Sequence, residues 1–203
     1  TDFDALPDGL REELPDFDTA FRRAREEYHR KSLTAIRKAS QRLEFSKPRI
    51  CIVFAADQHM GNSGTDIERV FSEAKTIAEM KNTYCVLLGD SVDSYIVPKL
   101  QHLNFNQRQS VADQWVMAEE YLKIVKPIAW VSGNHDGDWT QNMTGVDYVR
   151  KMVAKYSPNA LYDTDDCRVM IDVAGVQFPS RFRHKWRGHS IYNLTHGIER
   201  AQK

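Results

Sequence analysis

The stretch WVSGNHDGDW, residues 130–139, joins an apolar run to a dense set of polar side chains. The apolar residues lead into Gly133, and an amide, an imidazole and a carboxylate follow without a spacer at Asn134, His135 and Asp136. A turn would explain the glycine and one Asx residue, because both residue types favour tight turns. A turn does not need the histidine. The rest of the chain has to decide between a turn and a functional site.

Two earlier apolar runs of strand length end in the same way. The run at 49–57 is followed by Gln58 and His59, and the run at 83–90 is followed by Ser91, Val92 and Asp93. Helical patterns at 66–80 and 106–125 separate the runs, and another follows the third run at 147–156. Near-continuous apolar strands that alternate with helices predict a parallel sheet covered on both faces. Ligands bind beyond the carboxyl ends of such strands, so the three polar clusters are expected to converge.

The ends of the chain have a different pattern. Residues 1–17 are acidic and carry two prolines, and residues 18–44 have the spacing of one long charged helix. We therefore expect residues 1–48 to form an N-terminal helical extension and residues 49–203 to form the main domain. After residue 160, two strand-like segments flank Gly175 and predict a β-hairpin.

Composition limits the class of protein. The chain has 203 residues, with 28 basic and 28 acidic side chains, so net charge favours neither the presence nor the absence of a polyanionic partner. Its apolar runs are shorter than the roughly 20 residues of a membrane span, and we expect no membrane association. The cysteines, at positions 51, 85 and 167, lack metal-type spacing. Buried free thiols predict a reducing, cytoplasmic location.

The polar clusters contain the donors of a divalent metal site. Aspartate, histidine and asparagine give a mixed oxygen and nitrogen set, which suits manganese, iron, zinc or nickel. No cysteine accompanies them, so a structural zinc site is not expected. Asp90 has two carboxylate oxygens and can bridge two ions.

The three clusters also resemble a known family. Asp-x-His, Gly-Asp-x-x-Asp and Gly-Asn-His-Asp, in this order and after strands, are similar to the motifs of calcineurin-like metallophosphoesterases. The blocks span residues 57–136, and the resemblance extends over most of 49–203. It implies an α/β fold with a metallophosphoesterase-type β-sandwich flanked by helices. It also implies that the domain binds two divalent metal ions, and manganese is the favoured metal.

The resemblance assigns metal ligands to the motif residues. Asp57 and His59 would hold the first ion, Asp90 would bridge the two ions, and Asn134 would hold the second. A further family block is a lone histidine after a later strand. We assign this block to His184 and keep His196 as the alternative.

The resemblance also implies catalytic roles. His135 would face the phosphate and help to protonate the leaving oxygen, and Asp93 would orient His135. Asp136 would brace the turn. A dimetal-activated hydroxide would hydrolyse a phosphodiester bond. The family's Gly-His-x-His block is absent, which predicts either a C-terminally incomplete domain or a degenerate member, and weak metal binding with little activity for these 203 residues.

The prediction about the substrate depends on a row of basic residues that begins in the second strand of the hairpin. Strand alternation would place Arg181, Arg183, Lys185 and Arg187 on one face, where they could follow a nucleic-acid backbone, with His189 lining the cleft. RHKWRGHSIYN, residues 183–193, is similar to exonuclease-like phage and bacterial members of the family. The alternative is an exposed strand face beside the acidic residues 163–166. A protein or small-molecule phosphatase and a non-catalytic phosphate-binding module remain alternative functions.

Overall fold

The computed structural model describes residues 16–37, 41–96, 107 and 109–186. The chain divides into two units between Ser40 and Gln41. The first unit contains helix α1 (Phe17–Arg37), whose first turn is capped by the Asp16 carboxylate, which accepts a hydrogen bond from the Thr19 backbone N–H at 2.7 Å.

The second unit contains seven strands and four α-helices among its described residues. The strands are β1 (Arg42–Phe45), β2 (Cys51–Ala55), β3 (Thr83–Leu87), β4 (Ala129–Val131), β5 (Leu161–Asp163), β6 (Cys167–Val173) and β7 (Val176–Phe182). The helices are α2 (Ile67–Glu79), α3 (Val111–Val125), α4 (Thr140–Thr144) and α5 (Tyr148–Tyr156), and a π-helical turn covers Asn134–Trp139.

The strands form two sheets. The first has the order β2-β3-β4-β5, and its three pairings are all parallel, which confirms the parallel sheet predicted from the apolar runs. The second has the order β1-β6-β7, in which β1 pairs parallel with β6. Strands β6 and β7 form the predicted hairpin. Its two loop residues, Ala174 and Gly175, both have positive φ. A two-residue hairpin turn requires this when the twist of the turn matches the right-handed twist of the flanking strands.

Alternation along the central strands builds two separate cores. Val86 of β3 and Val131 of β4 point towards the second sheet, where they pack with Ile171 of β6. Leu87 and Trp130, their neighbours in sequence, point to the opposite face and pack against helices α2, α3 and α5. The result is a mixed α/β unit in which the parallel sheet is covered by the second sheet on one face and by helices on the other.

Two expectations from the sequence need correction, and one strand was not expected. Residues 42–44 were predicted to end the long helix, but they belong to β1 (Arg42–Phe45), because Leu43 and Phe45 pack into the core between the sheets. The Cys51 thiol was predicted to be buried, but it is exposed because β2 is the edge strand of its sheet. Strand β5 is too short to give a clear pattern and was not predicted.

None of the described helices combines the length and the apolar character that a membrane crossing requires.

Candidate metal centre

The polar clusters that follow β2, β3 and β4 meet at one edge of the parallel sheet. The Asp57 backbone N–H donates to the Gly89 carbonyl at 3.0 Å, and the His59 N–H donates to the Asp90 carbonyl at 3.0 Å. The His135 backbone N–H donates to Asp90 Oδ1 at 2.8 Å. The predicted convergence of the three clusters is therefore confirmed, and it follows from the parallel order of neighbouring strands.

The backbone at this edge is held in unusual conformations. Asp57, His59 and Asp90 have φ values of 56°, 44° and 53°, in the left-handed region that non-glycine residues rarely adopt. Each such residue costs roughly 1–2 kcal/mol, and this kind of strain concentrates at functional sites. The three strained residues are also three of the predicted metal ligands.

Two glycines allow the ends of β3 and β4 to approach each other. A Cβ atom added to Gly89 would lie 2.2 Å from the Gly133 nitrogen, and one added to Gly133 would lie 2.0 Å from Asp90 Oδ1. Gly133 is therefore required because the Asp90 carboxylate occupies the space that a side chain would need.

Three histidines at this edge are each held through Nδ1 by an oxygen atom. His59 Nδ1 lies 3.1 Å from Asp93 Oδ1, and His184 Nδ1 lies 2.6 Å from the Leu88 carbonyl oxygen. His135 Nδ1 contacts the Asp93 carbonyl oxygen. A carbonyl only accepts, so Nδ1 carries the proton in His135 and His184. This is the arrangement by which outer oxygen atoms fix the tautomer and orientation of metal-binding histidines.

The Nε2 atoms of the same histidines face two carboxylates. His59 Nε2 lies 3.8 Å from Asp57 Oδ1. His135 Nε2 lies 3.8 Å from Asp90 Oδ2, and His184 Nε2 lies 3.2 Å from the same oxygen. These five side chains form two groups that could hold a metal ion, His59–Asp90–His135 and Asp57–Asp90–His184, and the ligand atoms of each group lie within 4.8 Å of one another.

This division differs from the one that the resemblance implied. Asp90 belongs to both groups, as expected of a bridging ligand. Asp57 and His59, expected on the same ion, fall into different groups, and His135, expected only as an acid, has its Nε2 among the donors. Asn134 lines the cavity beside His184.

The orienting role of Asp93 also needs correction. Its carboxylate does not bond to His135; Oδ1 lies 3.1 Å from His59 Nδ1, and Oδ2 accepts a hydrogen bond from Asn62 at 3.2 Å. His135 is held by the main-chain carbonyl of Asp93 instead. Asp93 therefore positions two histidines with different atoms, which residue type and spacing alone did not indicate.

The charges at the centre depend on each other. Burial disfavours ionisation of Asp90, but hydrogen bonds from His184 and from the His135 backbone keep its pKa below the ordinary value. The bond to Asp90 raises the pKa of His184 to about 9, so the two form an ion pair at neutral pH. Burial lowers the pKa of His135, which is therefore neutral at pH 7.

Asp136 braces the turn, as predicted. Its Oδ1 accepts from the Gly133 N–H at 2.7 Å and its Oδ2 from the Ser91 N–H at 3.0 Å, which ties the ends of β3 and β4 together. Burial raises the pKa of this carboxyl to about 6.

Aromatic rings enclose His135 on its open side. The Trp139 ring centroid lies 4.1 Å from that of His135, and the Tyr95 centroid lies 4.9 Å from it. The π-helical turn Asn134–Trp139 brings Trp139 into this position. Short π-helical turns are frequent at functional sites, but no feature of the sequence marked this one.

Two residues of the predicted basic row, Arg181 and Arg183, are paired within the fold. Arg181 donates from Nε and Nη2 to the two Asp166 oxygens, both at 2.8 Å, and Arg183 pairs with Asp165. These pairs favour the alternative in which the row lies beside the acidic residues 163–166. The predicted alternation fails after Phe182, where β7 ends.

Arg187, His189 and His196 lie outside the described residues, so their predicted roles stay predictions. Comparisons with protein-family models, with curated proteins and with solved structures gave no match. The interpretation of the centre therefore depends on its donors and their geometry.

Proposed function

We propose that the protein is a metal-dependent phosphoesterase that hydrolyses phosphodiester bonds at this centre. One observation carries the proposal. Three histidines are each fixed through Nδ1 by a neighbouring oxygen, and their Nε2 atoms face the carboxylates of Asp57 and Asp90. This arrangement orients imidazoles for metal binding, and a structural cluster of hydrogen bonds would not require it three times.

The charge of the centre supports a cation at this place. Four carboxylates converge there, those of Asp57, Asp90, Asp93 and Asp136. Among the described residues, no lysine or arginine pairs with any of these four. Asp90, Asp93 and Asp136 are buried, and buried carboxylates are normally paired or bound to a metal ion, whereas Asp57 is exposed. The mixed nitrogen and oxygen donors fit two divalent ions, with manganese favoured, and Asp90 would be shared between them.

The bound ions would polarise the phosphoryl oxygens and make hydroxide available near neutral pH. The protein's own groups would place and protonate the substrate. Asp90 would fix the distance between the two halves of the centre. His135 has only Nε2 open, because Nδ1 is held by the Asp93 carbonyl and aromatic rings cover its side. The lowered pKa keeps the imidazole neutral at pH 7, so Nε2 would have to take up a proton before it could pass one to the leaving oxygen.

Hydrolysis of bis(4-nitrophenyl) phosphate by the protein loaded with Mn²⁺ tests this proposal. We expect turnover that stops on chelation and returns when Mn²⁺ is restored. Asp90→Asn should be inactive, and Glu79→Gln, which removes one carboxylate from the exposed end of α2, should match the wild type. Turnover that persists after exhaustive chelation would rule the mechanism out. Binding of inorganic phosphate without turnover would favour the non-catalytic module, and activity confined to phosphopeptides would favour a protein phosphatase.

A further inference from the structure

A cavity of ≈ 530 Å³ opens beside the centre. Its inner wall contains Asn134 and His184, which are candidate metal ligands. Its outer wall comes from the segment after β7, with Trp186 at its end, and from the loop after β5. A group bound to the metal centre through a phosphate would therefore extend into this cavity.

The Trp186 ring is held in place at the cavity wall. The guanidinium of Arg181 lies 5.1 Å from the ring centroid and that of Arg183 lies 5.7 Å from it, both within the range of a cation–π contact. Each guanidinium is in turn fixed by an aspartate, Asp166 and Asp165 respectively. The two arginines therefore orient the ring, and the two aspartates hold the arginines. A side chain that only covered the surface would not need this support.

The charges of the wall argue against a second phosphate as the occupant. The lining contains Arg183 and Lys185 on the basic side and Asp138 and Asp165 on the acidic side, and Arg183 pairs with Asp165, so the wall has no excess of basic groups for a second phosphate. What the cavity offers is an aromatic face with hydrogen-bonding groups around it, including Ser132 and Thr164. An aromatic ring with polar edges matches this surface, and the volume lies within the roughly 300–1,000 Å³ of small-molecule sites.

We propose that this cavity binds the nucleobase next to the scissile phosphate, with Trp186 as its stacking surface. The inference rests on the proposed function, which supplies the position of the phosphate. Trp186 is then a specificity residue that selects nucleotide esters over other phosphoesters. A nucleic-acid substrate would be recognised through a base, and the paired arginines would position Trp186 without contacting the phosphate backbone.

Equilibrium binding of AMP and of ribose 5-phosphate to the Mn²⁺-loaded protein separates the base from the phosphate. Calorimetry gives both dissociation constants, and chromatography after each titration verifies that the ligands are intact. We expect AMP to bind roughly tenfold more tightly, which is within the contribution of one stacked base. Trp186→Leu should remove this difference and leave ribose 5-phosphate binding unchanged. Trp186→Phe keeps a ring and should retain most of the difference.

Phe178→Leu is the matched control, because Phe178 is an exposed aromatic residue of β7 outside the cavity lining. It should bind both ligands as the wild type does. Equal affinities for AMP and ribose 5-phosphate in the wild type would overturn the inference and leave the hydrolysis assay to judge the proposed function. A preference for AMP that survives Trp186→Leu would also overturn it. A Trp186-dependent preference without any hydrolysis would keep the nucleobase site and remove the phosphoesterase.

Discussion

Two acidic clusters of this protein differ in what surrounds them. The first cluster, residues 163–166, lies beside the hairpin. Arg181 of β7 pairs with Asp166, and Arg183, just after β7, pairs with Asp165. At the ends of β2, β3 and β4, the partners of the aspartates are histidines, the Asn62 amide and backbone N–H groups. Asp165 and Asp166 of the first cluster each have an arginine partner, whereas among the described residues no arginine or lysine pairs with the aspartates of the second. A high density of aspartate therefore does not indicate a cation site until the neighbouring basic groups are known.

The largest expected effect is that of Asp90→Asn. Asp90 belongs to both groups of metal donors, so the substitution should weaken the binding of both ions. The loss should exceed the roughly 10–100-fold that removal of an outer partner produces. Metal analysis after gel filtration measures it, with Asp166→Asn as the control from the compensated cluster. If Asp166→Asn lost as much metal as Asp90→Asn, the distinction between the clusters would not hold.

His135→Ala separates the two roles that its position allows. If His135 acts as the acid, the rate should fall by roughly 10²–10⁴ while the metal content stays close to that of the wild type. The experiment combines single-turnover rates with metal analysis of the same sample. A loss of metal as large as that in Asp90→Asn would identify His135 as a ligand, in line with its place in the His59–Asp90–His135 group.

Gly133→Ala tests the close packing of the metal centre. The added methyl group would lie 2.0 Å from Asp90 Oδ1, so either β4 or the carboxylate has to move. We expect a loss of about 1–3 kcal/mol in the free energy of unfolding, together with weaker metal binding. Gly145→Ala is the control, because its positive φ adds strain but no atom lies within 4 Å of the new Cβ. Equal metal binding by the two variants would show that the carboxylate is not crowded as described.

The smallest expected effect is that of Asp166→Asn on stability. The hydrogen bond from Arg181 lowers the pKa of Asp166, so this pair stabilises the fold above the ordinary aspartate pKa of about 3.9. The contribution is lost as the pH falls through the lower pKa of the folded state. Urea unfolding should show a loss of less than about 1 kcal/mol at pH 7, and a smaller loss at a pH below the ordinary aspartate pKa of about 3.9. A loss that is the same at both pH values would show that the pair is not its cause.

Much of this arrangement could be predicted from the sequence. Apolar runs with polar ends located β2, β3 and β4, and the parallel order of such strands placed Asp57, Asp90 and His135 together. The sequence did not show which atoms make contact. The Leu88 carbonyl holds His184, and main-chain groups of this kind have no residue-type signal.

The errors in the prediction share a physical cause. Arg42–Phe45 follows a charged helix and has compatible spacing, but pairing with β6 overrides the local pattern. For Arg181 and Arg183 the sequence left two alternatives open, a basic row for nucleic acid and a strand face beside the acidic residues 163–166, and only the pairing with Asp165 and Asp166 favours the second. Long-range pairing decided both outcomes, and neither helical periodicity nor strand alternation contains it.

The central claim is that histidine Nε2 atoms at the carboxylate cluster bind divalent metal. Nitrogen NMR of ¹⁵N-histidine-labelled protein, titrated with Zn²⁺ as a diamagnetic ion, tests it most directly, with His59→Gln and His184→Gln used for assignment. We predict that the Nε2 resonances of His59 and His184 shift on metal binding while the His184 Nδ1 stays protonated. The exposed His29 of α1 should not change. Unchanged Nε2 resonances for both histidines at saturating Zn²⁺ would contradict the claim.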